Sequence, residues 1–199
     1  MKKYYCLLLM LFITGCSSTP KIVTHQYLLM PDPYLDGATT GTKSQSQDEI
    51  ISIKPIRLAS YLNQRGIILL TNKHEINVAH YHRWAEPLDE NIHRFMLLTM
   101  SANTTRYVFQ NSAGSSSQDT NLTLSIEFDQ FNGTADGQAM VSGKWQLYDT
   151  DKNDVLVSDT FHYNQTMSES GYAELVNQFA LILNQISLQI VSSISTLQP

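Results

Sequence analysis

The chain has 199 residues, of which 42% are hydrophobic and 16% charged, and its formal net charge is −5. These proportions are those of one ordinary globular domain. The acidic balance disfavours binding to nucleic acid, or to anionic lipid through a polybasic patch, because both need clustered Lys and Arg. The only cysteines, Cys6 and Cys16, lie near the N-terminus, which leaves the rest of the chain without a thiol for disulfides, zinc sites or nucleophilic catalysis.

The N-terminal segment has the order of a bacterial lipoprotein signal. A short basic stretch precedes the uncharged run Tyr4–Phe12, which is shorter than the roughly 20 residues that cross a bilayer. Ile13-Thr14-Gly15-Cys16 resembles the lipobox, in which the cysteine is acylated and becomes the new N-terminus. We therefore predict a signal peptide over 1–15, lipidation of Cys16 with acyl chains such as palmitate, and a tether over 16–21. The alternative is a plain secretory signal with a chance cysteine.

The residue after Cys16 also bears on localisation. It is Ser17, whereas lipoproteins of this class that stay in the inner membrane often carry aspartate there. The resemblance therefore implies the periplasmic face of the outer membrane. Several acyl chains on one residue would hold the protein there stably, because each buried methylene adds about 0.8 kcal/mol.

Residues 22–199 are predicted to form a single domain. A short strand, His25–Met30, ends at Pro31, and a polar loop without periodicity follows over 31–49. Further strands are predicted around Ile51 and Ile53, over 67–70 and over 76–81, from alternating or continuous apolar residues.

A first helix is predicted to open near Pro87, which suits the first helical position because it lacks an amide proton. Its apolar stripe consists of Leu88, Ile92, Phe95, Met96 and Thr99. The second half alternates over 122–128 and over 141–147, and a further strand is predicted from about 155 to 163, with turn residues at 132–137 and 149–154. These three strands are expected to form an antiparallel meander. A long amphipathic helix from about Tyr172 to Ile190 ends the chain.

This order of elements predicts an α+β domain. We expect a largely antiparallel sheet with one wet face, and two amphipathic helices packed on the other face.

The motifs of catalysis and of nucleotide or cofactor binding are absent from the sequence, so we predict a non-enzyme without cofactors. His80 and His82 share a strand face and are a candidate metal pair, although sheet-edge histidines are the more ordinary interpretation. Asp149 and Asp151 are a candidate carboxylate pair, but aspartates in turns usually accept local backbone hydrogen bonds.

The run Arg83-Trp84-Ala85-Glu86-Pro87-Leu88-Asp89 resembles the ABC-type transport auxiliary lipoprotein family. The lipobox, a Tyr-Leu-Leu strand at 27–29, and the segments 61–67, 131–133 and 141–145 agree in the same order. The resemblance implies a lipoprotein of the outer membrane that docks a periplasmic bridge made of mammalian-cell-entry (MCE) domain proteins. Such systems move phospholipids between membranes and maintain envelope integrity, and the lipoprotein forms a ring in some arrangements.

Most of the motif residues are expected to be structural rather than partner contacts. Trp84 should pack where the chain enters the first helix, with Pro87 starting the helix and Leu88 facing the core. Gly143 should make room for a neighbouring ring near Trp145. For the interface we select the Tyr61–Arg65 loop, since an exposed aromatic beside an arginine is common at interfaces. The alternative function is a monomeric periplasmic module that binds one lipid between helix and sheet.

Overall fold

The computed structural model describes residues 23–31, 49–112 and 121–197. The signal peptide, Cys16, the tether and residues 32–48 of the polar loop lie outside this part of the chain. The described residues form nine strands, two α-helices and a short 3-10 helix at Ser60–Leu62. The strands are β1 His25–Tyr27, β2 Glu49–Ile53, β3 Arg57–Leu58, β4 Gly66–Asn72, β5 Glu75–Trp84, β6 Tyr107–Asn111, β7 Leu122–Thr134, β8 Gln138–Asp149 and β9 Asp154–Thr166. The helices are α1 Leu88–Ala102 and α2 Tyr172–Ser195.

The fold class is α+β, as predicted, but the expectation of a largely antiparallel sheet is wrong. The strands form one mixed sheet in which the order β1-β5-β4-β7-β2-β6 is joined through β7 to β8 and β9. Of the eight strand pairings, five are parallel.

The length of β7 explains this topology. Its 13 residues exceed the length of its partners, so that three short strands from the N-terminal half lie along it one after another. β2 pairs at its start, β3 near its middle and β4 at its end, all parallel. The apolar patterns that predict β2 and β4 carry no information on the direction of the partner strand, and β3 is too short to be predicted.

The antiparallel meander predicted for the second half is confirmed over β7, β8 and β9. Its first turn is shorter than predicted, because β7 continues through Thr134 and the chain turns over Ala135–Gly137, with Gly137 at a φ of 83°. In β8, a Cβ on Gly143 would lie 2.0 Å from the carbonyl oxygen of Glu127 and 2.7 Å from the ring of Phe161. Only glycine fits where the two strands approach at this point.

Helix α1 buries the predicted stripe from Leu88 to Thr99. The start of α1 differs from the prediction by one residue. Pro87 is the N-cap residue, with φ −53° and ψ 132°, and Leu88 is the first helical residue. Proline suits either position, because its missing N–H would lack an intrahelical acceptor in both.

The first turn of α2 is tied to the loop before it by Glu174. The carboxylate accepts hydrogen bonds from Gln178 Nε2 at 2.7 Å, Ser168 Oγ at 2.8 Å and Asn177 Nδ2 at 3.2 Å. Because these bonds favour the charged form, they lower the pKa of Glu174 to about 2.

The two helices contact each other and share one hydrophobic core with the sheet. Rings fill its centre, where Phe131 and Phe179 stack at 4.2 Å between centroids and Trp84 packs on both at 6.2 Å. Of the described helices, α2 is long and apolar enough to cross a membrane. Its apolar stripe is nevertheless buried in this core, including Leu183, Ile186 and Ile190.

Candidate functional site

Two segments that carry the sequence motif meet in space. The Tyr-Leu-Leu segment at 27–29 begins with the last residue of the edge strand β1, which runs parallel to the end of β5 with Tyr27 opposite Trp84. The backbone N–H of Ala85 donates to the carbonyl oxygen of Tyr27 at 2.8 Å, and the N–H of Trp84 donates to that of Arg65 at 2.8 Å. The chain between β5 and α1 is therefore held by both β1 and the start of β4.

Side-chain hydrogen bonds from Asn91 in α1 hold the segment after β1 against this helix. Its side-chain oxygen accepts from the backbone N–H of Leu29 at 2.8 Å, and its side-chain nitrogen donates to the carbonyl oxygen of Leu29 at 2.9 Å. Asn91 is buried at 1% exposure, and so is Leu29. Leu29 lies two residues after the end of β1, and the Asn91 side-chain amide pairs with its backbone N–H and C=O as a neighbouring strand would.

Sequence reasoning missed Asn91, although a signal was present. The residue lies three positions after Leu88 and one before Ile92 on the core-facing side of α1. A polar residue within an apolar stripe is buried, and a buried amide needs partners.

We expect Asn91→Ala to destabilise the domain by about 1–3 kcal/mol, because the buried N–H and C=O of Leu29 would lose their partners. Urea unfolding measures this change. Glu90→Ala is the matched control, since Glu90 is the exposed neighbour in the same helix and should change stability by no more than about 0.5 kcal/mol. Equal midpoints for the two variants would contradict the role assigned to Asn91.

The motif residues also border a cleft of about 350 Å³, which we call the motif cleft. It lies where β1, β4, β5 and the start of α1 meet. Its lining residues are Gln26, Asn63, Gln64, Arg65, Arg83, Trp84, Ala85, Glu86, Pro87 and Leu88. Trp84 and Leu88 are buried, at 5% exposure each, and Pro87 is exposed at the start of α1.

The charges of the motif cleft are unevenly paired. Glu86 forms a bidentate ion pair with Arg94, in which Nη1 lies 2.8 Å from Oε2. Arg83 donates from Nε to the carbonyl oxygen of His80 at 2.7 Å. Over the described ranges, no carboxylate forms a salt bridge with Arg65 or Arg83. The cleft therefore carries two cations that its own acidic residue does not neutralise.

The predicted interface loop is only partly as expected. Tyr61 is half-buried, and its hydroxyl donates to the carbonyl oxygen of Asp129 at 3.1 Å and lies 3.3 Å from Asn132 Oδ1. Burial is the main cause that raises its pKa. The Tyr61 hydroxyl is thus hydrogen-bonded to β7, and Tyr61 is not the fully exposed aromatic that the sequence predicts. Arg65 is exposed, as predicted.

The two histidines of the candidate metal pair, His80 and His82 in β5, lie in different surroundings. His80 is exposed, whereas His82 stacks on Tyr172 at 4.0 Å and on His25 at 5.1 Å, and its Nδ1 lies 2.8 Å from the Tyr27 hydroxyl. Desolvation, and then the charge of His25, lower the pKa of His82. Within 23–31, 49–112 and 121–197, no three His, Cys, Asp or Glu residues are grouped as a metal site.

Of the two aspartates, Asp149 is the last residue of β8 and Asp151 lies in the turn that leads to β9. Asp149 Oδ1 accepts from the backbone N–H groups of Asp151 and Lys152 at 3.0 and 3.1 Å, and Oδ2 lies 3.2 Å from Lys152 Nζ. The backbone N–H of Lys152 is the main cause that lowers the pKa of Asp149. This is the local turn bonding expected from the sequence, and it does not aim two carboxylates at a common substrate.

A second cleft, of about 530 Å³, lies on strands β3, β7, β8 and β9, and we call it the sheet cleft. Among its lining residues, Glu127 Oε2 lies 2.6 Å from Arg57 Nη2 and 3.4 Å from Lys144 Nζ. Its lining is polar and its ion pairs are exposed, so that each contributes little to stability.

Comparison with known proteins gives the family. The model of the family described as ABC-type transport auxiliary lipoprotein component matches residues 33–191. The intermembrane transport lipoprotein PqiC of Escherichia coli (strain K12) is 27% identical over 197 residues, which cover 99% of this chain and 100% of that protein. PqiC of Shigella flexneri gives the same values.

Two solved structures share the fold. A crystal structure of an uncharacterized protein has a TM-score of 0.72 at 21% identity, covering 86% of this chain and 99% of that chain. Protein XCC0632 from Xanthomonas campestris has a TM-score of 0.61 at 14% identity, covering 85% and 91%. Since the family match spans most of the sequence, the resemblance seen in the motifs is confirmed, and the chain belongs to the ABC-type transport auxiliary lipoprotein family.

Proposed function

We propose that this protein is a non-catalytic lipoprotein of an intermembrane phospholipid transport system, anchored through Cys16 to the periplasmic face of the outer membrane. There it docks an MCE-domain protein that bridges the periplasm, and so helps to maintain envelope integrity. The observation that carries the proposal is the family match over 33–191, together with full-length similarity to proteins named intermembrane transport lipoprotein. The family is one of transport auxiliary components rather than of enzymes.

The packing of the core favours docking over the alternative of a monomeric lipid-binding module. A lipid held between helix and sheet would need an apolar cavity there. That space contains the stacked rings of Phe131 and Phe179, both no more than 2% exposed, with Trp84 against them. The two clefts described above are lined mainly by polar and charged residues. These observations support a protein that acts through its surface.

The experiment that tests the proposal is mild crosslinking in intact cells, followed by purification of the lipoprotein and identification of the bound envelope proteins. We expect an MCE-domain protein in the crosslinked complex, and multiples of the lipoprotein if it assembles as a ring. Co-purified phospholipid in a monomeric protein, without an MCE-domain partner, would instead support the lipid-binding alternative.

A docking function also predicts which substitutions are tolerated. Alanine at His80, His82 or Asp151, and asparagine at Asp149, should leave resistance to detergent intact in a complementation test. The reason is that none of these side chains would act as an acid, a base or a metal ligand. Circular dichroism and immunoblotting confirm that each variant is folded and present. Loss of resistance in a folded, lipidated and partner-bound variant would contradict the docking proposal.

A further inference from the structure

The exposed side of β1 and β5 combines cations with apolar side chains. Along 26–30, exposed Gln26, Leu28 and Met30 alternate with inward-facing Tyr27 and Leu29. Leu28 and Met30 are 39% and 38% exposed. On the neighbouring β5, Tyr81 is 47% exposed and lies two positions before Arg83, on the same side of the strand. We call this surface the tether edge; it consists of Gln26, Leu28, Met30, Arg65, Tyr81 and Arg83.

The charges of the tether edge suit an anionic ligand. Arg65 and Arg83 line the same cleft, and over the described ranges neither forms a salt bridge. The carboxylate beside them, Glu86, is already held by Arg94. Guanidinium groups bind phosphate oxygens bidentately and are more weakly hydrated than ammonium groups. In a chain with a net charge of −5, such a pair of cations is a local feature that attracts phosphate groups.

The short length of chain between Cys16 and the tether edge indicates which phosphate groups the two arginines would meet. Eight residues separate Cys16 from His25, the first residue of β1, and the nine steps along this chain span at most about 30 Å. β1 is also a terminal strand of the sheet, so the chain enters the domain at this edge. Exposed apolar side chains next to arginines are typical of surfaces that lie in the headgroup region of a bilayer.

We propose that the tether edge lies on the anionic phospholipid surface to which Cys16 is anchored. Arg65 and Arg83 then bind phosphate groups, while Leu28, Met30 and Tyr81 lie among the headgroups. This inference rests on the proposed anchoring. It does not require a polybasic patch, because the acyl chains supply the membrane affinity and the two arginines set the orientation of the domain. An acidic segment of a partner would match the arginines but would leave the apolar residues unexplained.

The sheet cleft is a surface separate from the tether edge. In the series β1-β5-β4-β7-β8-β9, the last strand, which lines the sheet cleft, lies five strand spacings from the first, which is about 24 Å along the sheet. Charges can therefore be removed from the sheet cleft without altering the tether edge.

The test uses the lipidated protein on vesicles of phosphatidylcholine, with or without phosphatidylglycerol, and hydrogen exchange of residues 23–30 and 63–65. We expect phosphatidylglycerol to slow exchange of these segments by at least about fivefold, the factor that one arginine contributes at an anionic surface. The double variant Arg65→Gln/Arg83→Gln should lose this protection. The matched control, Arg57→Gln/Lys144→Gln, removes the same charge from the sheet cleft and should keep it.

Several results would overturn the inference. Equal exchange on the two kinds of vesicle would do so, and so would protection that survives in the Arg65/Arg83 variant. Protection by inorganic phosphate or soluble polyglutamate without vesicles, with no effect of phosphatidylglycerol, would assign the arginines to a free anion or to an acidic partner. Failure to bind either vesicle would instead contradict the anchor, and with it both proposals. Crosslinking to the MCE-domain protein, measured on the same variants, tests docking separately.

Discussion

Trp145→Ala is expected to lower the free energy of unfolding by about 3–5 kcal/mol, the cost of truncating a large aromatic side chain in a packed core. Trp145 lies in β8 between Ile126 of β7 and Asp159 of β9, and only 2% of it is exposed. The cavity left by the indole would remain largely empty, because long strands on both sides hold the backbone in place.

Chemical unfolding followed by circular dichroism measures this effect. The matched control is Gln146→Ala, one position further along β8, where the side chain is exposed on the other face of the sheet. It should change stability by no more than about 0.5 kcal/mol. Similar midpoints for the two variants would mean that the face of β8 carrying Trp145 is not part of the core.

Cys16→Ser is expected to abolish lipidation and to release the domain from the outer membrane, because acylation needs the thiol. Detergent resistance should then fail in complementation, since a soluble domain would not fix a periplasmic bridge to that membrane. Incorporation of labelled palmitate and membrane fractionation measure the first effect, and growth in detergent measures the second.

Cys6→Ser is the control for this experiment, because it removes the other thiol of the chain while leaving the lipobox intact. It should keep both the lipid and the function. A Cys16→Ser protein that still incorporates palmitate and pellets with the outer membrane would show that the lipobox assignment is wrong. If the Cys16→Ser protein is released but still complements fully, Cys16 carries the anchor, but docking does not depend on it.

The comparison of sequence and structure shows which patterns are reliable here. The stripes of α1 and α2 and the alternation in β7 and β8 predict those elements correctly, since each depends on spacing within one segment. β3 has no counterpart among the predictions because its two residues are too few for a periodic signal. β6 has none because its apolar residues, 107–109, form a run shorter than the four to eight that indicate a buried strand. The sequence also did not predict that Tyr61 is half-buried, because its hydroxyl forms hydrogen bonds with β7, about 70 positions later in the chain. Its place at an interface stays a prediction.

By itself, the sequence determined the class of the protein. The segment that resembles a lipobox, the motif at 83–89 and the amphipathic periods are local signals, and they are sufficient to predict an α+β member of this family. Only the tertiary structure decided which strands pair and in which direction. It also decided that Asn91 fastens β1 and that Arg65 and Arg83 share one cleft beside exposed Leu28 and Met30. The physical reason is that these relations join residues distant in the chain, and the length of β7 and the packing of α1 and α2 choose among the possible pairings.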